Sequence, residues 1–155
     1  MSVHSGQTLD ANHVDTNSLP WFPYAEGVHM QLVKANPVSG EFIVMFRAKP
    51  GSSLGIHCHH GTVIAYNLQG HWRYTEHDWV AGPGSVIYEP ANSVHTFVAE
   101  PGDDDIVIFI IINGVIEFRD DQGNMIFIET WKTMQERYLA FCNEQGIEPV
   151  DVTKF

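Results

Sequence analysis

Three histidines fall in a pattern that can hold one metal ion. His57 and His59 stand two residues apart, and His95 follows the turn Pro90-Ala91-Asn92-Ser93. Side chains alternate faces along a strand, so His57 and His59 share one face and Cys58 points away. Cys58 therefore reads as a small buried hydrophobe rather than a ligand. His95 lies on a later strand and brings a third imidazole. Three histidines leave positions open, as catalytic sites do, whereas closed structural sites fill all four. Imidazole suits Zn, Fe, Ni and Cu alike, so the ligand type does not choose the metal. His60 has the wrong parity to join His59, and His71 and His77 flank a Trp/Tyr-rich strand where exposure is the simpler reading.

These side chains must be positioned by short strands. Runs rich in Val, Ile, Phe and Tyr alternate with Gly, Pro, Asn and Asp. They predict strands near 28–34, 41–49, 54–59, 63–69, 71–76, 85–89, 94–99, 105–112, 115–118 and 125–128. Such spacing belongs to an all-β sandwich or barrel. Ile106 to Ile112 is apolar on both faces, which calls for a central strand or a subunit interface, because an exposed edge of that kind aggregates. Thr130 can cap a closing helix over about 131–145, with Trp131, Met134, Tyr138, Leu139 and Cys142 as its apolar stripe and Gly146 as its stop. The polar residues 1–18 read as a flexible N-terminal arm, and 19–155 as a single domain.

Composition limits the partners. The chain has 155 residues, 8 Lys plus Arg against 19 Asp plus Glu, and a net charge of −11. That field repels phosphate backbones and anionic membrane surfaces. No apolar run reaches the length of a membrane span. The first twenty residues have neither a basic start nor an apolar core, so no signal peptide is expected. The two cysteines form no CxxC, and a cytoplasmic, reducing setting is the default.

The motif spacing matches a family. Gly51, five residues, His57-x-His59, three residues, Val63, six residues and Gly70 resemble the first cupin motif. Gly84, five residues, Pro90-x-Asn92, two residues and His95 resemble the second. Val63 stands where many cupins carry a ligand glutamate, and a valine binds no metal. Asn92 replaces a usual glycine, tolerably, since Asn adopts left-handed backbone. Ala99 replaces a usual asparagine. Beyond the motifs, the stretches Leu19–Tyr24, His57–Tyr66, Gly70–Gly84 and Tyr88–Thr96 resemble the 2,4'-dihydroxyacetophenone dioxygenase family and, more distantly, the acetylacetone-cleaving dioxygenase. The resemblance implies a cupin jelly-roll barrel with a C-terminal helix. It also implies a non-haem Fe(II) enzyme that uses O2 to cut a C–C bond beside a carbonyl in a small ketone, of hydroxyacetophenone or β-diketone type. A homo-oligomer, dimer or tetramer, is implied as well.

In the three-histidine enzymes so resembled, an acid six residues before the last histidine lies behind the ligands. Here it is Glu89, which could orient His95 or His57, or bind metal when substrate is absent. If Val63 faces the metal, so do Ala65 and Asn67, and Phe97 shares the face of His95. Trp72, Tyr74 and Tyr88 could form an aromatic pocket wall or pack in the core. Two other functions remain open. One is a non-catalytic sensor, since related cupin domains attached to anti-sigma factors bind zinc; these 155 residues hold no accompanying helical partner-binding domain. The other is a zinc or nickel lyase or isomerase.

Overall fold

The computed structural model describes residues 10–154, so positions 1–9 of the expected arm lie outside the described residues. A 3-10 turn at Thr16–Ser18, capped by Asp15, enters the domain. Gln31 Nε2 donates to Thr16 O at 2.7 Å and to Leu19 O at 2.8 Å, which ties this segment to the sheet behind it.

Eleven strands follow: β1 (Phe22–Ala25), β2 (Val28–Ala35), β3 (Glu41–Ala48), β4 (Ser53–His59), β5 (Val63–Gln69), β6 (Trp72–Tyr74), β7 (Val86–Glu89), β8 (Ser93–Ala99), β9 (Ile106–Asn113), β10 (Ile116–Arg119) and β11 (Met125–Glu129). They form two antiparallel sheets, one in the order β1-β2-β3-β9-β5-β7 and the other β11-β10-β4-β8-β6. Inward residues of both sheets make one core, centred on Leu32, Phe42, Val44, Phe46, Trp72, Phe97 and Ile108. The apolar run at 106–112 is a central strand, with β3 on one side and β5 on the other.

Ten of the strands match the sequence expectation closely. β1 is the addition, and its position explains why it is hard to read. Pro23 cannot donate to a ladder, and proline is tolerated only where one side of the strand is unpaired. β1 is such an edge, with a register shift between Pro23 and Ala25.

The helix α1 runs Trp131–Gln145, with Thr130 accepting from Thr133 N and Gly146 in the left-handed conformation at its end. It packs outside the barrel on β1, β2 and β11. Met134, Tyr138 and Cys142 are its buried stripe, whereas Leu139 is 41% exposed, off the side that meets the sheet. Glu129, fully buried at the end of β11, accepts from Arg137 Nε at 2.8 Å and from Thr133 Oγ1, and so locks α1 to the sheet.

Two turns set the approach to the histidines. Gly61 passes so close to β9 that a Cβ there would lie 2.1 Å from Asn113 O. Asn92 adopts φ +67°, the left-handed backbone that the second motif's glycine would otherwise supply.

Candidate metal centre

His57 and His95 are direct cross-strand partners on β4 and β8. His59, two residues along β4, shares their inward face. The three ring centroids stand 5.0, 5.2 and 5.4 Å apart, and one nitrogen from each ring lies within 4.8 Å of the others. All three are buried. His57 Nδ1 lies 2.8 Å from Gly55 O, a bond that places the ring's proton on Nδ1 and leaves Nε2 free to ligate.

Glu89 completes the cluster. Val63 and Glu89 are cross-strand partners on β5 and β7, so they occupy the same face. The carboxylate absent at Val63 is thus delivered from the neighbouring strand. Glu89 Oε2 lies 3.3 Å from both His59 Nε2 and His95 Nε2. Tyr74 OH donates to the other oxygen, Oε1, and the Tyr74 ring stacks on His95 at 4.0 Å and 10°. The sequence leaves Tyr74 open between pocket wall and core, and the structure places its hydroxyl on Glu89.

Burial acts on each group differently. It holds His57 neutral well below the ordinary histidine range and pushes His59 down to about 3. Burial pushes the Glu89 carboxyl up, but the adjoining His95 nitrogen, His59 and Tyr74 outweigh it and leave the acid below its usual range. At neutral pH His57 and His59 are therefore neutral imidazoles beside a carboxylate, the protonation that metal ligands require. His95 Nε2, Glu89 Oε2 and His59 Nδ1 are buried without a hydrogen-bond partner. Unsatisfied buried polar groups cost about 1–3 kcal/mol each. A cation between the imidazoles relieves that cost at His95 Nε2 and Glu89 Oε2, so these residues fit a divalent metal.

The same shifts set acid stability. The unfolded chain takes a proton at histidine near 6.5, which the folded protein refuses at His59 until about 3. Stability of the metal-free protein is therefore full above 6.5 and falls as pH drops below it. Melting temperature between pH 7 and 4.5 is expected to decline, and less steeply in His59→Gln. A flat profile in the parent protein would contradict this electrostatic picture.

A cavity of about 50 Å³ lies beside the cluster, and Val63, Ala65, Trp72 and Phe97 are among its lining. Asn67 and Tyr88 are not. Asn67 shares the inward parity and is fully buried, but it stands beyond the cavity, where Nδ2 donates to Gly70 O at 2.8 Å. Tyr88 is 63% exposed and borders the open groove outside Glu89 instead. It pairs with Ile64 on the outer face, since the neighbour of inward Glu89 must point outward. Cys58 faces away from the histidines, His60 Nε2 meets Glu117 Oε2 at 2.8 Å, and His77 stacks on Trp79. Arg47 lies over Trp21 and Arg73 bonds Glu100, so neither enters the cavity. Glu76 accepts from Thr96 N and Oγ1 and is exposed.

Two antiparallel sheets enclosing a buried histidine triad define a metal-site cupin. The chain belongs to the ChrR cupin-like domain family, which matches residues 10–117. An RmlC-like cupin protein from Ralstonia eutropha JMP134 is 41% identical, covering 96% of this chain and 98% of its own, with a TM-score of 0.89. An acetylacetone dioxygenase from Acinetobacter johnsonii is 20% identical over 90% of this chain and 97% of its own, with a TM-score of 0.76, which shows a shared fold. A structure of Rhodobacter sphaeroides SigE in complex with the anti-sigma ChrR gives 20% identity over 64% of this chain and 51% of that one, at a TM-score of 0.55. No curated protein matches the chain. Among the described residues, no helix is long and apolar enough to cross a membrane.

Proposed function

We propose that the protein is a metal-dependent dioxygenase that cleaves the C–C bond beside the carbonyl of a small ketone. The observation that carries this reading is the buried three-histidine cluster with an ionised glutamate on its open side. His57, His59 and His95 hold one divalent metal, Fe(II) by preference, with Zn, Ni or Cu able to occupy the same ligands. When bound, the metal supplies a positive charge that favours an enolate and a place for dioxygen to react. The chain's own residues do the rest. Glu89 Oε2 accepts the proton from the carbon next to the carbonyl, and Tyr74 OH holds the carboxylate in place. Val63 and Ala65, both small, leave room beside the cluster, and the apolar walls exclude water. For an α-hydroxyketone the balance is R–CO–CH2OH + O2 giving R–COOH and HCOOH, with both oxygen atoms retained in the acids.

The test is O2 consumption by anaerobically Fe(II)-reconstituted protein with hydroxyacetophenones and β-diketones. One O2 per ketone, with carboxylic acid products labelled from 18O2, is the expected result. Tight zinc binding without uptake supports the second reading, a non-catalytic metal sensor, which the ChrR family match favours; a non-oxidative zinc or nickel enzyme would instead turn over a ketone without O2.

The setting is cytoplasmic, as suits two buried free cysteines, Cys58 and Cys142. Ile64, Tyr66 and Leu68 are all exposed on the outer face of β5. A contiguous apolar face of this kind is uncommon on a monomer, and a second copy of the chain covers it. Light scattering should give at least twice the 17.4 kDa chain mass, and Tyr66→Lys should lower it to one chain. A monomeric parent protein would refute this.

A further inference from the structure

Two spaces meet at the Tyr74–Glu89 pair. The inner one is the cavity of about 50 Å³, between the histidines and inward aliphatic side chains of β3 and β9. The outer one is a groove of about 470 Å³ beside the edge strands β6 and β7, with Glu89 and His95 among its lining. Tyr74 and Glu89 border both, so their hydrogen bond is the partition.

Size decides what each can take. An apolar cavity of about 150 Å³ accepts benzene. The inner space is a third of that and excludes an aryl ketone, yet it has room for a two- or three-atom molecule. Val44, Ile108 and Ile110 give it apolar walls. The groove falls within the roughly 300–1,000 Å³ of small-molecule sites.

The groove also carries a planar surface. His77 stacks on Trp79 at 5.3 Å and 17°, and Trp79 meets Tyr74 at 5.6 Å and 67°. This loop is held in place from its start. Thr75 N donates to Thr96 O at 3.0 Å, and the Glu76 carboxylate accepts from Thr96 N and Oγ1, both at 2.9 Å. Ser93 Oγ, in the lining, is buried and has no hydrogen-bond partner. A buried hydroxyl left unpaired beside an open groove fits a polar group of a ligand.

We propose that the two spaces divide the reactants. The groove receives the planar, aromatic body of the organic substrate, with Ser93 Oγ engaging one of its polar substituents. The inner cavity admits only a molecule the size of dioxygen. This division rests on the oxygen-using reading above, and it is tested without turnover.

The protein is loaded with Zn(II), and two probes are mapped crystallographically: xenon under pressure for the inner space and 4-hydroxyacetophenone for the groove. Xenon is expected between Val44 and Ile110, and the ketone ring against Trp79. Trp79 is 38% exposed on a loop, so Trp79→Ala should fold normally. It is expected to weaken 4-hydroxyacetophenone binding about tenfold by calorimetry and to leave xenon in place. Val44→Phe is expected to remove xenon without changing ketone affinity. If that variant fails to fold, the Trp79→Ala result and the two maps still decide. The ketone ring in the inner cavity, or unchanged affinity in Trp79→Ala, overturns the division. Both probes in their stated places, in a protein that consumes no O2, would remove the dioxygenase reading and leave the sorting of ligands by size standing.

Discussion

His95→Ala protein is expected to leave Fe(II) reconstitution with less than about a tenth of the parent's metal, while its far-UV circular dichroism is unchanged. The reasoning is one of ligand count and place. Residues that merely support a metal ligand cost about 10–100-fold in affinity when removed, and a ligand itself costs at least as much. His95 faces His57 across β4 and β8, so truncating it opens one side of the triad. The fold should survive, because the imidazole belongs to a polar cluster and leaves the aliphatic core untouched. Its removal also deletes a buried nitrogen that has no hydrogen-bond partner. His57→Ala and His59→Ala should behave alike. His60→Ala is the control: its ring bonds Glu117 on the outer face and should keep full metal content. Elemental analysis of the four variants decides the matter, and a metal-replete His95→Ala would contradict the triad.

The second large effect is at Glu89. Glu89→Gln keeps the shape and can still accept from Tyr74 OH, but it removes the charge 3.3 Å from two ring nitrogens. Turnover is expected to fall about 100-fold or more, the usual range for loss of a positioned general base. Metal content at saturating Fe(II) should hold, because the three imidazoles remain. Tyr74→Phe should lower turnover less, since the carboxylate keeps its charge and loses only its tether. Unchanged turnover in Glu89→Gln would remove Glu89 from the chemistry. Collapse of metal content in the same variant would make it a ligand instead.

Local periodicity made much of this legible. The parity of His57-Cys58-His59 survives in the structure because β4 is regular through that stretch. The turn through Asn92 could be read because few residues other than glycine tolerate its backbone. Pairing between distant strands could not be read in this way. That Glu89 supplies a carboxylate opposite Val63 follows from the register of β5 against β7, which nothing local specifies. Tyr74 and Trp79 reach the site because two sheet edges converge there, again a long-range fact. Tyr88 is different. Tyr88 and Glu89 are adjacent on one strand, so they cannot both face the metal, and alternation alone assigns one of them outward. Asn67 has the right parity and the wrong depth, because parity sets the face and says nothing of distance along the barrel.

The most direct measurement is anomalous diffraction at the metal edge from crystals of the reconstituted protein. One strong peak per chain is expected, at about 2.0–2.2 Å from a nitrogen of each of His57, His59 and His95. No peak at that point, or a metal held elsewhere such as the acidic turn Asp103-Asp104-Asp105, would contradict the three-histidine centre on which the proposed chemistry depends.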